Sequence, residues 1–137
     1  MLTVLLALTA LAVTPSLSLV DCPRTIAVEQ KPVAPPAEWS ATDDGSPHRL
    51  AGVTFFDGPS AELASLVYDE EAPAGKEWTG IWHFAANPRG FWIACTYSGT
   101  SIVLSRRLPA EVKVCRVTYE QESREGPVGE IEKIDCR

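Results

Sequence analysis

Alternation of apolar and polar residues, rather than a helical period, dominates the chain from about residue 22 onward. The clearest example is the pair of segments 78–84 and 91–97, which flank the turn residues Asn87-Pro88-Arg89-Gly90. The residues that share one face of these two predicted strands are Trp78, Gly80, Trp82 and Phe84 on the first and Phe91, Ile93, Cys95 and Tyr97 on the second. This period of two predicts a hairpin with one buried face.

The remaining strands follow from the same alternation and from the turn residues between segments. They are predicted over Cys22–Gln30, Leu50–Phe56, Leu63–Tyr68, Ile102–Arg106, Val112–Tyr119 and Ile131–Cys136. A short helix over Ala61–Val67 competes with the third of these, because Ala, Glu and Leu favour helix. Glu70–Lys76 is predicted to be a solvated loop. The fold class is therefore mainly β, a small antiparallel sheet, sandwich or barrel of about seven or eight strands.

A proline-rich segment, Lys31–Pro47, separates the first two predicted strands. Its four prolines remove amide donors and fix φ, so we expect an extended arm or loop. Trp39 is expected to pin this arm to the body of the domain.

Residues 1–18 carry no charge and include an apolar run of about a dozen residues, too short for the ~20 that a membrane span needs. The run fits a signal peptide cleaved near Ser18, which leaves a single domain over residues 19–137 and predicts periplasmic localisation without stable membrane insertion. A basic segment before the run is missing, and a buried N-terminal helix is the alternative. Lipidation of Cys22 is disfavoured because Asp21, which precedes it, is not small.

Four cysteines in a small exported domain predict two disulfides. If Val112–Tyr119 and Ile131–Cys136 form a hairpin, Cys115 lies opposite Cys136 at a distance that a disulfide spans. Cys22 then pairs with Cys95. The cysteines have no metal-knuckle spacing and the chain has two histidines, so no metal site is expected.

Catalytic chemistry finds no support in the sequence, and we expect neither an enzyme nor a cofactor. His48 and His83 are interpreted as surface or edge-strand residues, because no motif pairs them with a nucleophile. The acidic clusters fall in predicted turns or strand ends, where solvated charge is the default. Asp43-x-Gly45 is interpreted as a plain turn rather than a calcium loop. A net charge of −6 excludes a basic nucleic-acid footprint.

Two features are candidates for binding. The tight turn Tyr97-Ser98-Gly99-Thr100-Ser101 projects small hydroxyls from a rigid hairpin and is suited to entering a cleft, although an ordinary hairpin turn is the simpler interpretation. Trp78 and Trp82 could instead form a sugar-stacking platform, although core packing is the simpler interpretation for them too.

Several segments resemble a family of small, uncharacterised periplasmic proteins of Gram-negative bacteria, some of which are encoded near type VI secretion genes. The segments that carry the resemblance are Pro47–Leu50, Val53–Pro59, Trp82, Cys95–Thr100, Cys115 and Cys136. The resemblance implies an exported β domain, and the link to type VI secretion implies an immunity protein. A looser likeness to C-type lysozyme inhibitors rests on Ser98-Gly99 alone, since Ile102 stands where those inhibitors have a Tyr.

The sequence therefore predicts a non-enzymatic periplasmic binding protein, an inhibitor or immunity factor whose protein partner is a cell-wall-directed hydrolase or effector. The acidic net charge would steer a cationic enzyme toward it. The predicted partner-binding residues are Arg89, Tyr97, Ser98, Gly99 and Thr100. The alternative is a structural or glycan-binding envelope module with no inhibitory role.

Overall fold

The computed structural model describes residues 17–121 and 129–137. Nine β-strands and one 3-10 helix, Ser60–Glu62, occur in these ranges. The strands are β1 (Thr25–Ile26), β2 (His48–Asp57), β3 (Ser65–Leu66), β4 (Glu70–Ala74), β5 (Glu77–His83), β6 (Phe91–Tyr97), β7 (Val103–Arg107), β8 (Val114–Glu120) and β9 (Glu130–Cys136). The prediction of a mainly β domain is confirmed.

The strands form two antiparallel sheets. Sheet I has the order β1-β2-β6-β7. Strand β1 pairs with the start of β2, and β3 pairs with β2 near its other end. Sheet II has the order β4-β5-β8-β9. Both sheets place strands that are distant in sequence side by side, since β2 pairs with β6 and β5 pairs with β8.

The core lies between the two sheets. Phe55 of β2, which is fully buried, packs its ring 4.9 Å from that of Trp82 on β5. Phe84 lies 5.5 Å from Phe55 and 5.0 Å from Phe91 of β6, so aromatic rings from both sheets interlock. Aromatic side chains supply large buried area per residue, which suits a core that a short chain must fill.

Both predicted disulfides are confirmed. Cys115 and Cys136 are directly opposite each other on β8 and β9, with Cα atoms 4.1 Å apart. Cys22, which precedes β1, is bonded to Cys95 in the middle of β6, with Cα atoms 5.9 Å apart. The Cys115–Cys136 disulfide therefore crosslinks β8 and β9 in sheet II, and the Cys22–Cys95 disulfide links the N-terminal segment to sheet I.

Three strand predictions need correction. The first predicted strand, Cys22–Gln30, is reduced to Thr25–Ile26, because the chain leaves β2 for the arm after those residues. Glu70–Lys76 is mostly strand β4, not loop: its side chains are exposed, but its backbone pairs with β5. Leu63–Tyr68 keeps only Ser65–Leu66 as strand, and the competing helix appears as one turn ending before Leu63, whose left-handed φ of 59° stops it.

No strand or helix occurs from Ala27 to Pro47. This confirms the prediction of an extended arm over Lys31–Pro47 and shows that the arm begins four residues earlier, inside the first predicted strand. The role predicted for Trp39 is wrong, because this side chain is 76% exposed and does not pack on the body. The arm is closed at its base instead by Asp43, whose carboxylate accepts hydrogen bonds from the Gln30 and Gly45 amides at 2.7 and 3.0 Å. These bonds lower the pKa of Asp43 and hold the turn at Asp43-x-Gly45.

No helix among the described residues is long and apolar enough to cross a membrane.

Candidate interaction surface

The turn between β6 and β7 contains Ser98 and Gly99, and Gly99 adopts a left-handed φ of 75°. The start of β2 holds the turn, because the Ser98 amide donates to the Arg49 carbonyl at 2.9 Å and His48 Nδ1 lies 2.8 Å from the Ser98 carbonyl. The arm adds a bond of 3.3 Å from Gln30 Nε2 to the Gly99 carbonyl. Ser98 and Gly99 are nevertheless exposed at their surface. The turn is therefore preorganised and accessible.

Tyr97 does not share that accessibility. Its side chain is 4% exposed, and its hydroxyl donates a hydrogen bond of 3.0 Å to the Pro23 carbonyl. Burial raises the pKa of Tyr97 above its ordinary value of 10.0. Tyr97 thus anchors the base of the turn in the core and ties β6 to the segment next to Cys22.

Arg89 lies at the other end of β6. It belongs to the turn before Phe91, whereas Ser98 follows Tyr97, so the seven-residue strand separates them by about 20 Å. The Arg89 guanidinium forms an ion pair with Glu62 of the 3-10 helix. The structure therefore does not bring Arg89 and the Ser98-Gly99 turn into one contact area.

Strand β7, which the binding predictions did not include, continues the turn along an open edge of sheet I. All five of its residues are exposed, and Val103 and Leu104 are exposed by 49% and 39%. Ile102, just before the strand, is exposed by 45%. The sequence contains a signal for this edge, because three consecutive apolar residues break the alternation of a strand with one buried face.

The register of β7 determines which backbone groups face outward. Leu108 donates from its amide to the Phe91 carbonyl, so the facing residues Arg107 and Trp92 form a non-hydrogen-bonded pair. Alternation then directs the amides and carbonyls of Arg106 and Leu104 toward β6. Those of Val103, Ser105 and Arg107 point to the open side. Nothing in the described part of the chain hydrogen-bonds to these outward backbone groups.

The other sheet edges are covered or interrupted. Along β9, Arg24 donates to the carbonyls of Ile131 and Glu132 at 2.6 and 2.9 Å, and the Leu19 amide donates to the Cys136 carbonyl at 2.9 Å. Strand β2 is paired by β1 and β3. Strand β4 carries two glutamates and a proline, features that discourage edge pairing. Strand β7 is therefore the most open long edge of the described structure.

An aromatic platform of Trp78 and Trp82 does not exist at the surface. The two side chains are 3% and 6% exposed, and their indole nitrogens donate to Glu71 and to the Leu66 carbonyl. A sugar cannot stack on rings buried between two sheets. The glycan-binding alternative, as far as it rested on these two residues, is wrong.

The described residues contain no group of three His, Cys, Asp or Glu side chains that could hold a metal ion. His83 lies at the end of β5 with Nε2 2.9 Å from a Glu70 carboxylate oxygen, and both side chains are more than half exposed. His48, at the start of β2, contacts the Ser98 carbonyl. His83 is thus exposed, as predicted, whereas His48 is half-buried, and neither histidine lies on an edge strand.

Comparisons with known proteins identify a family and a relative that this chain resembles. The family model described as type VI secretion system Tli immunity protein matches residues 44–137, from the end of the arm to the C-terminal end of the chain. An Azospirillum brasilense protein, described as an uncharacterized 16.3 kDa protein in the trpG 5′ region, is 32% identical over 112 residues, which cover 77% of this chain and 74% of that protein.

No solved structure shows significant similarity to the chain. The comparisons confirm the predicted link to type VI secretion and add no support to the likeness to C-type lysozyme inhibitors. The Tli match spans two thirds of the chain, including both strands of the candidate turn and three of the four cysteines. The chain belongs to the Tli immunity protein family of type VI secretion systems.

Proposed function

We propose that this chain is a periplasmic immunity protein that binds a type VI secretion effector enzyme directed at the cell wall and blocks it without catalysis. The observation that carries the proposal is the match of residues 44–137 to an immunity protein family. An immunity protein acts by occupying its partner, which requires a stable, preshaped surface rather than a reactive group.

The turn Ser98–Thr100, in which Ser98 and Gly99 are exposed, is the part of that surface that we propose enters the effector. Hydrogen bonds with His48, Arg49 and Gln30 fix the turn before binding, so little conformational freedom is lost on association. Tyr97 supports the turn from inside. Arg89, with its partner Glu62, would contribute only at a separate contact, because it lies at the far end of β6.

Export is part of the proposal. Residues 1–18 would act as a signal peptide, and the two disulfides require an oxidising compartment to form and persist. The net charge of −6 would raise the association rate with a cationic effector in a salt-dependent way.

A competition experiment tests immunity even before the effector has been identified. A strain that lacks this gene is grown in contact with its isogenic parent, which secretes the effector. We expect the deletion strain to be outcompeted, to recover when the full chain is restored, and to survive beside a parent whose secretion apparatus is inactivated. A variant without residues 1–18 should not protect, because it stays in the cytoplasm.

The target of the effector is tested in the same intoxicated cells. Release of soluble peptidoglycan fragments before loss of phospholipid supports a cell-wall target. Release of free fatty acids or lysophospholipid with intact peptidoglycan rejects the cell-wall part of the proposal and leaves immunity standing. Equal survival of deletion strain and parent rejects the immunity function itself.

A further inference from the structure

We propose that the open edge of β7 is a docking strand: an extended segment of the effector adds to sheet I there and places two consecutive carboxylates against Arg106 and Arg107. This inference rests on the proposed function and specifies how the partner is held. Addition of a strand to a sheet edge derives affinity from backbone hydrogen bonds and specificity from the alternating side chains.

The backbone supports this mode directly. The outward amides and carbonyls of Val103, Ser105 and Arg107 offer three donors and three acceptors in strand geometry. Strand β7 is already fixed against β6 along its full length and continues from the preorganised turn. A partner strand could therefore bind without any rearrangement of sheet I.

Charge identifies the kind of segment that fits. The chain is acidic overall, yet Arg106 and Arg107 form a basic pair on this edge. Neither arginine forms an ion pair with another residue in the described ranges. Because adjacent residues of a strand point to opposite faces, one carboxylate on each face of the added strand would be needed to pair both.

The other half of the edge is apolar. Ile102, Val103 and Leu104 are each between 39% and 49% exposed, which leaves apolar surface on both faces of sheet I beside the basic pair. In an antiparallel arrangement the N-terminal part of the incoming segment would face Arg106 and Arg107 and carry the two acidic residues. Its C-terminal part would face the apolar half of β7 and carry β-branched residues. Such a segment buries the apolar surface and pairs the charges in one register.

A second copy of this chain is a poorer occupant of the same edge. Antiparallel pairing of two β7 strands would place the Arg106-Arg107 pair of one copy close to the Arg106-Arg107 pair of the other. Like charges on facing strands are destabilising, whereas an acidic segment converts the same charges into attraction.

The binding mode is tested by NMR on the full chain, exported to the periplasm of an expression host, labelled with ¹⁵N and titrated with a synthetic peptide. The acidic probe is acetyl-Thr-Glu-Asp-Thr-Val-Ile-Val-Thr-amide, and its control has Lys-Lys in place of Glu-Asp. We expect saturable shifts and slowed amide exchange at Val103, Ser105 and Arg107 with the acidic probe. We expect at least about tenfold weaker binding for the basic control. No saturable change in β7 with the acidic probe, or equal binding of both peptides, would overturn the proposal.

Substitutions link the edge to immunity. Ser105→Pro removes an amide that faces the open side and leaves the bonds to β6 intact, whereas Ser105→Ala keeps the amide and removes the hydroxyl that contacts Ser60 at 3.1 Å. We expect S105P to lose peptide binding and protection in the competition experiment, and S105A to retain both. An unchanged thermal melt and intact disulfides confirm that S105P is folded.

Arg106→Glu tests the charge independently of any backbone change. We expect it to abolish protection, while Lys76→Glu, which makes the same charge change in the β4–β5 turn, protects like the parent chain. If the parent chain protects and both S105P and R106E protect equally well, the docking strand is rejected and the immunity function stands. If the parent chain itself gives no protection, the failure lies with the proposed function.

Discussion

At the residue scale, the candidate turn depends on a glycine. Gly99 has a φ of 75°, a conformation that L side chains rarely adopt, and a Cβ added there would lie 3.2 Å from His48 Nδ1. Gly75 has a similar φ of 63° in the β4–β5 turn, but a Cβ there meets nothing within 4 Å. The two positions share backbone strain and differ in crowding.

Gly99→Ala should therefore cost more stability than Gly75→Ala. The strain common to both is about 1 kcal/mol, and Ala at position 99 must also displace the His48 ring that holds the Ser98 carbonyl. Urea unfolding of both variants measures the difference. Equal losses would show that His48 does not constrain the turn.

A second residue-scale effect lies on sheet II. Partial desolvation, the negative charges of Glu77 and Glu120 and a hydrogen bond with Glu77 raise the pKa of Glu132 above its ordinary value of 4.5. A carboxyl whose pKa is raised on folding favours the folded state while it is protonated. That contribution is complete below pH 4.5 and is lost as the pH rises through the folded-state pKa.

Glu132→Gln should accordingly raise the melting temperature at pH 7 and leave it nearly unchanged at pH 4. The reason is that glutamine removes the repulsion from Glu77 and Glu120 that exists only when Glu132 is ionised. Melts at a series of pH values check this, with Glu111→Gln in the loop before β8 as the control. A gain that is the same at both pH values would contradict the electrostatic explanation.

At the scale of elements, alternation predicted the strands that bury one face and missed β4, which buries neither face. Strands β5 and β6 were predicted within a residue because their apolar residues recur with period two. Strand β4 has no apolar face, since its residues are all exposed, and only its backbone pairing makes it a strand. Such pairing depends on residues distant in sequence and leaves no local pattern.

The site shows the same division. The Ser98-Gly99 turn and the buried face of β6 could be predicted, because both depend on neighbouring residues. Arg89 was predicted to bind the partner together with the turn, although the seven residues of β6 lie between them. That separation could be read from the sequence, because the strand 91–97 was itself predicted. The open edge of β7 depends on the order of strands in sheet I, which local patterns do not specify.

Arg24 offers a test of how elements are held together. Arg24 lies between Cys22 and β1. Among the described residues, it is the only one whose side chain donates to two carbonyls of β9. Arg24→Ala should lower stability by about 1–3 kcal/mol, as loss of charged hydrogen bonds does, and speed amide exchange in the N-terminal segment. Arg49→Ala, whose guanidinium makes an exposed ion pair with Glu130, should change stability little.

At the scale of the whole molecule, two sheets share one aromatic core, and two disulfides restrict the unfolded chain. The sequence predicted the disulfide pairing because one pair lies across a hairpin and the other is what remains. It did not predict that the two bridges serve different sheets. The bridge of sequence separation 73 secures the N-terminal segment and sheet I, and the bridge of separation 21 secures sheet II.

Removal of the bridges one at a time should separate these roles. In the chain-entropy treatment, loops of 73 and 21 residues correspond to about 4 and about 3 kcal/mol. The total stability of a small domain is about 5–15 kcal/mol, so either loss is large. Replacing Cys22 and Cys95 together by Ser should therefore lower the melting temperature more than replacing Cys115 and Cys136 together.

Reduction of both disulfides should leave the parent chain largely unfolded. A melting temperature that does not shift with reductant would show that the aromatic core alone holds the two sheets.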